Sequence, residues 1–467
     1  MRRCVISALL GLLVVCPGHL ANAQELLSPK LQQDIDKVAT DALAKTGAPS
    51  ASIAVVKNGQ IAYLRAYGSA RLDPPTPAKP EMRYSIGSIS KQFTATAILL
   101  LQEQGKLSLD DKVGKFIPDL TRANEVSIRQ LLSHTSGYQD YWPQDYGMPI
   151  LLQPVTAQRI LDIWARKPLD FEPGTKWQYS NTNYVIAGLI VEKASGVPLF
   201  QFLQEKVFNP LGMKSVADAD KARLGDTDPT GYTRYALGPW RPALKEGKGW
   251  LFAAGELAMP AEDLAKWDAS IINQKLMKAS SYLVLETEVV LKDGLGTRYG
   301  LGVGVRSEFG QRALSHGGGV LGYTTENVVF PDARAAVVVF TNQDVADASG
   351  TMAQGIASLL LASDDRATQE KLAQSRKIFE GLQHGTIDRS LFTDNANFYF
   401  NEQALNDFAS SLGPLGAPED FVQVGQGLRG GMKFRIFSIK FPKMSLGVTT
   451  YEVADGKLEQ FQVAIQD

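Results

Sequence analysis

Ser88 and Lys91 stand three residues apart in Tyr84-Ser85-Ile86-Gly87-Ser88-Ile89-Ser90-Lys91-Gln92-Phe93. Residues at that spacing share one face of a helix, so the serine hydroxyl and the lysine amine can touch. A serine hydroxyl is a poor nucleophile at neutral pH without an adjacent base. A lysine can be that base where burial or neighbouring charge favours its neutral form. Phe93, Ala95, Ala97, Ile98, Leu99, Leu100 and Leu101 follow and predict a helix apolar nearly all round, as in a core. Ser-x-x-Lys alone matches many chains by chance, so the remaining sequence has to carry the assignment.

Three other stretches could supply chemistry. In Tyr179-Ser180-Asn181, a phenol can hold or relay a proton and an amide can bind a substrate carbonyl. In His316-Gly317-Gly318-Gly319, the glycines permit close backbone approach and leave amide N–H groups for an oxyanion. Read plainly, the first is a turn with a half-buried tyrosine and the second a glycine-rich turn with a loop histidine. In Leu131-Leu132-Ser133-His134-Thr135-Ser136-Gly137, a histidine beside serines invites a triad reading. A structural histidine with its hydrogen bonds satisfied is favoured there.

Composition bounds the alternatives. The chain of 467 residues is 44% hydrophobic and 21% charged, the balance of a globular protein with room for two or three domains. A net charge of −1 without a basic region argues against nucleic acid as a partner. Arg2 and Arg3, the apolar run from Val5 to Val15, and Ala21-Asn22-Ala23 form the pattern of a cleavable secretory signal over residues 1–23. The run is too short for a permanent membrane anchor. Both cysteines, Cys4 and Cys16, fall inside it, so the mature chain is expected to have no disulfide, thiolate metal site or cysteine nucleophile. Its histidines would be His134, His316 and His384, with no His-Glu-x-x-His, and no Gly-x-Ser-x-Gly elbow is present. Neither a metal nor another cofactor is expected, and a periplasmic or secreted location is.

The elements that must position these residues follow from patterning. Helical spacing predicts a helix over Leu31 to Leu43, and Lys57-Asn58-Gly59 between two apolar runs predicts a hairpin. Asp73 to Pro80 reads as a loop leading to Ser88. From Ile89 to about Met277 the pattern is mostly helical, with helices over Val126 to Leu132, Tyr184 to Ala194 and Pro260 to Trp267. Strands are expected at Tyr299 to Val305, Glu326 to Phe330 and Ala335 to Thr341, then a helix from about Thr351 to Ala362. This order suggests one sheet split by a helical insertion, its first and last segments paired in space. A boundary at Asp364-Asp365-Arg366 divides a domain over 24–364 from a small α+β module over 365–467. That module has a helix near Gln369 to Leu382, a tight turn at Asp455-Gly456, and Phe461, Val463 and Ile465 alternating with polar residues. His384 is expected to be a solvated loop residue.

Taken in order, Ser88-x-x-Lys91, Tyr179-x-Asn181 and His316-x-Gly318, with Leu131 to Gly137 and Ala261 to Ala265, resemble the serine β-lactamase and penicillin-binding-protein superfamily. The match is to its class C β-lactamase, DD-carboxypeptidase and esterase branch, over roughly residues 28 to 362. The resemblance implies an α+β β-lactamase/transpeptidase-like fold: an antiparallel sheet flanked by helices, plus a helical subdomain. It implies Ser88 as the acylated nucleophile, with Lys91 and Tyr179 sharing acid and base work. Asn181 would bind the acyl amide, His316, Gly317 and Gly318 would lie beside the substrate, and the N–H groups of Ser88 and Gly319 would form the oxyanion hole. Class C β-lactamases carry lysine at the position of His316, and a hydroxyl residue is common at Gly317. Those departures point to peptide or ester substrates, DD-peptidase-, D-aminopeptidase- or esterase-like, peptidoglycan fragments among them. The alternatives are a class C type β-lactamase and a non-catalytic peptidoglycan- or peptide-binding protein.

Overall fold

The first strand cannot be satisfied by its own hairpin alone. All eight residues of β1 (Ser50–Lys57) are buried, so it needs neighbours on both edges and cover on both faces. The computed structural model describes residues 27–144, 147–221, 224, 227–364 and 366–466; residues 1–23, expected to be a secretory signal, lie outside them. On one edge of β1 lies β2 (Gln60–Leu72), reached through Asn58 and Gly59, both with positive φ. On the other edge lies the last strand of the sheet, β7 (Ala335–Thr341), antiparallel, with Ala51 opposite Thr341 and Val56 opposite Ala336. With β3 (Pro75–Pro77), β4 (Gly304–Glu308), β5 (Gln311–Val320) and β6 (Tyr323–Phe330), the order is β3-β2-β1-β7-β6-β5-β4. The first and last segments do pair, and β3 lies in a stretch expected to be a loop.

Alternation along the central strands feeds two cores. Ile53, Val55, Val337 and Val339 pack with α1 (Pro29–Thr46) and α5 (Ala348–Asp364) on one face. The sequence starts and stops α1 cleanly: the Ser28 hydroxyl accepts from Leu31 N–H, Pro29 opens the first turn, and Gly47 closes the helix at φ 70°. On the other face, Ala54, Val56, Val338 and Phe340 pack with the helical insertion. Its central member α2 (Ser90–Glu103) buries everything from Ser90 to Leu101. Around it stand α3 (Asn181–Ser195) and α4 (Ala261–Asn273), the latter through Trp267, whose ring centre is 5.1 Å from that of Phe93.

A buried polar chain locks this insertion to the sheet. Trp267 Nε1 donates to Gln92 Oε1 at 2.8 Å, and Gln92 Nε2 donates to Asn327 Oδ1 at 3.0 Å. Asn327 Nδ2 in turn donates to both Asp268 oxygens at 2.9 and 2.8 Å. One residue each from α2 and β6, and two from α4, are thereby fixed in register.

Two expectations need correction. Tyr299 to Val305 is not a strand throughout: the chain bends until Gly304, where β4 begins. There Leu301 N donates to Leu285 O and Gly302 N to Leu132 O, so backbone donors go to neighbouring elements instead of a ladder partner. The second is the glycine run 317–319, which lies within β5 and is no turn.

After α5, α6 (Arg366–Gln383) leads into a third apolar cluster with Phe379, Phe400, Phe437 and Val448. The cluster lies under a separate four-stranded antiparallel sheet, β8 (Asp420–Arg429), β9 (Met432–Phe441), β10 (Met444–Glu452) and β11 (Leu458–Gln466). Phe461 is buried there as expected; Ile465, toward the end of edge strand β11, is exposed. His384 is exposed in the turn after α6. Among the described residues, no single helix is long and apolar enough to cross a membrane.

The polar chain yields a stability prediction. Asn327→Ala leaves Asp268 and Gln92 buried without their partner and should cost about 2–4 kcal/mol. Urea denaturation measures it, and a loss below about 1 kcal/mol would show that the chain is not a lock.

Candidate active site

Ser88 sits in one 3₁₀ turn (Gly87–Ile89) between the short strand Tyr84–Ser85 and α2, so the turn aims its side chain back along the first turn of the helix. Lys91, fully buried, reaches up the same face. Its Nζ lies 2.9 Å from Ser88 Oγ, 2.8 Å from Asn181 Oδ1 and 2.8 Å from the carbonyl oxygen of Ala254. Burial drives the Lys91 pKa down to about 7, against the pull of the Asp140 charge, which raises it. When Nζ is neutral it has two N–H bonds for Asn181 and Ala254, leaving its lone pair for the Ser88 hydroxyl proton. That arrangement lets Lys91 act as a base toward Ser88.

Tyr179 lies over the same pair. Its phenol is close enough to the Ser88 side chain for the serine to act on it, and Lys91 Nζ stands 5.0 Å from its ring centre. Burial pushes its hydroxyl well above the ordinary phenol value, so Tyr179 is a proton donor at neutral pH and a poor initial base. The ring is held from beneath by His134, 4.3 Å away between ring centres. His134 Nδ1 accepts from Ser180 N–H at 3.2 Å, which puts the ring proton on Nε2, and its carbonyl accepts from Gln178 N–H at 3.0 Å. The structural reading of His134 is half met: Nδ1 is satisfied, whereas Nε2 is buried without a partner among the described residues. Burial, then Lys91 and His316, hold it neutral.

His316 on β5 closes the far side, its ring centre 6.2 Å from that of Tyr179. Nδ1 lies 2.6 Å from Gly317 O, which can only accept, so Nδ1 carries the proton and Nε2 accepts from the Tyr299 hydroxyl at 2.9 Å. Burial, then the nearby Lys91 charge, lowers its pKa to about 3 and leaves a neutral imidazole. Beyond it, β5 runs against the Ser88 turn. A Cβ on Gly318 would meet Ile86 O at 2.0 Å, and one on Gly87, at φ +51°, would meet Gly319 N at 2.9 Å. Only glycines let the strand come this close, which brings the Gly319 N–H beside the nucleophile turn. Gly317 is exposed and faces away, toward Glu326 on the neighbouring strand.

The structure therefore gathers Ser88, Lys91, Tyr179, Asn181, His316, Gly318 and Gly319 into one place, with Gly317 at its flank. Spacing gave no signal for Asp140 or Tyr299. The Asp140 carboxylate accepts from the backbone N–H of Asn181 at 2.9 Å and from its Nδ2 at 3.2 and 3.3 Å, turning the Asn181 oxygen toward Lys91. Burial raises the Asp140 pKa, and its donors together with Lys91 oppose that. In front of the group opens a cleft of about 680 Å³, lined among others by Ser88, Asn181 and Gly319, with Tyr141, Trp142, Leu251 and Leu321 as apolar walls.

A family model described as Beta-lactamase matches residues 35–361, most of the chain and all of these residues. The chain belongs to the Beta-lactamase family. Within it the chain groups with the serine β-lactamase and penicillin-binding-protein-like hydrolases. It is 29% identical over 311 residues to a penicillin-binding protein of Bacillus subtilis, covering 63% of this chain and 68% of the relative. It is 28% identical over 336 residues to a D-aminopeptidase of Gluconobacter oxydans, covering 71% of this chain and 63% of the relative. Among solved structures, a D-amino acid amidase from Ochrobactrum anthropi SV3 superposes with TM-score 0.63 at 23% identity, over 72% of this chain and 99% of its own. An octameric penicillin-binding protein homologue from Pyrococcus abyssi superposes with TM-score 0.62 at 21% identity, over 92% of this chain and 99% of its own, and so extends the fold match past residue 361.

Because Asp140 favours the charged form of Lys91, Asp140→Asn should lower the Lys91 pKa further. If neutral Lys91 takes the Ser88 proton, the acid limb of Ser88 acylation should move about half a unit or more to lower pH. A pH–rate profile with an unmoved limb would remove Asp140 from this role.

Proposed function

We propose that this protein is an exported serine hydrolase acting through an acyl-enzyme on Ser88, with peptide, amide or ester substrates. The observation that carries this reading is the buried Lys91 amine 2.9 Å from Ser88 Oγ, with a pKa of about 7. In the first step Ser88 Oγ attacks the acyl carbon while its proton passes to neutral Lys91. The carbonyl oxygen becomes an oxyanion held by the N–H groups of Ser88 and Gly319. The carbon–leaving-group bond then breaks, with the Tyr179 phenol giving its proton to the leaving nitrogen or oxygen and recovering one from Lys91. In the second step water attacks the ester, losing a proton to the same pair, and Ser88 Oγ departs reprotonated. Asn181, oriented by Asp140, would hold the acyl side of the substrate.

Relatives named D-aminopeptidase and penicillin-binding protein support amide or peptide bonds as the target, peptidoglycan fragments among them. A class C type β-lactamase is the second reading. The neutral His316 weighs against it, because it offers no charge to a penicillin carboxylate. A binding protein without turnover is the third, and the assembled Ser88–Lys91–Tyr179 group weighs against that. Export rests on residues 1–23, and the mature chain would begin at Gln24. Residues 365–467 would form a separate module without catalytic groups.

Intact mass after incubation with benzylpenicillin tests the nucleophile. A one-to-one adduct in the wild type, slow with penicillin and faster with a p-nitrophenyl ester that carries no carboxylate, and absent in Ser88→Ala and Lys91→Ala, is expected of a peptidase-like enzyme. Penicillin consumed without a lasting adduct would favour the β-lactamase. Acylation of Lys91→Ala at the wild-type rate, by penicillin or by a p-nitrophenyl ester, would sink the assignment of the base. Truncation after Asp364 should keep adduct formation, and a folded but unreactive truncation would show that the C-terminal part completes the site.

A further inference from the structure

The two faces of β5 and β6 have different tasks at the cleft. Leu314, His316 and Gly318 turn toward the α2 side, whereas Gly317 and Gly319 turn, with Thr324 and Glu326, toward the side where α5 begins. In the ladder Gly317 pairs with Glu326 and Gly319 with Thr324. Gly317 is exposed and has no side chain, and Glu326 occupies its flank: Oε2 lies 3.1 Å from where a Cβ on Gly317 would stand. Glu326 is only partly exposed, yet it makes no hydrogen bond or ion pair among the described residues. The charged groups that act on it are Asp347, which also lines the cleft, Arg306 and Glu308. Burial first, then Asp347, hold its carboxyl up at about 7.

The proton donor fixes which part of a substrate lies here. The leaving atom must meet the Tyr179 phenol, and Tyr179 faces His316, the residue before Gly317. The leaving group therefore runs toward the His316–Gly317 end of β5, and the acyl part runs toward Asn181 and the aromatic walls of the cleft. When the leaving group is a C-terminal amino acid, its carboxylate stands one carbon from the leaving nitrogen. The same holds for the carboxylate of a penicillin. Either would pass the edge of β5 at Gly317, where no side chain separates it from Glu326.

We infer that Glu326, beside the side-chain-free Gly317, selects the leaving group by charge, admitting neutral or cationic ones and rejecting those with a carboxylate next to the scissile bond. The substrate class is thereby narrowed to amides, amidated or interior peptide bonds, and esters of neutral alcohols. This rests on the acyl-enzyme reading above and adds the residue that sets its specificity.

The test compares kcat/KM for D-Ala-D-Ala and D-Ala-D-Ala amide at about pH 8.5, where Lys91 is largely neutral and Glu326 charged. The amide should be preferred by the wild type. In Glu326→Gln that preference should fall about tenfold, the scale of one close like-charge contact in a partly desolvated site. In Glu326→Lys it should reverse. A ratio unchanged in both variants would overturn the inference. So would loss of the acid substrate alone in Arg306→Ala, which would make Arg306 a carboxylate anchor. Hydrolysis of p-nitrophenyl acetate separates the two levels: if Ser88→Ala hydrolyses it at the wild-type rate the acyl-enzyme reading itself falls, and if that variant is inactive an unmoved ratio removes only the selectivity.

Discussion

Everything at this site depends on keeping one amine out of water. An ammonium group taken from water into a protein interior loses several kcal/mol of hydration unless oxygens replace it. Lys91 Nζ has three such oxygens, one each from the nucleophile, the amide of Asn181 and the Ala254 carbonyl. Three acceptors are enough to keep the amine in place and too few, in so dry a setting, to keep it firmly protonated. The balance explains why so much else is apolar. Twelve successive residues of α2 are buried, and the rings of Tyr179 and Tyr184 cover the amine. A wetter helix would restore an ordinary lysine and leave Ser88 without a base.

A second constraint is contact between backbones. Sheet and helical insertion meet where β5 crosses the Ser88 turn, and the approach is so close that side chains are excluded on both sides. The buried chain from Trp267 through Gln92 and Asn327 to Asp268 holds the same two bodies together a short way off. Rigid joining matters because the proposed oxyanion donors, the Ser88 and Gly319 N–H groups, would come one from each side of the seam.

The sequence was most legible where chemistry and periodicity coincide. Ser88 and Lys91 could be paired because one helical turn brings them together, and the buried helix after them announced itself by composition. The hairpin at Asn58-Gly59 and the pairing of first and last strands followed from turn chemistry and element order. The glycine run was misplaced for the opposite reason: glycine disfavours strands, so a strand built of glycines for close approach looks like a turn. Asp140 was invisible because its role arises from a loop folding back onto the start of α3, which no spacing rule encodes. His134 was judged by its neighbours in sequence, serines and threonine, whereas its neighbours in space are the rings of Tyr179, Tyr184 and Tyr299.

The pairing of Ala51 with Thr341 at the centre of the sheet bears on how the chain reaches its native state. The N-terminal hairpin emerges early in synthesis with one long edge bare, and its proper neighbour arrives only after the whole helical insertion. Closing such a loop is entropically slow, and until it closes the apolar strand β1 is an open template for other chains. A chain with this topology gains from being kept unfolded until it is complete. Holding β1 covered until Thr341 has been made would supply that delay.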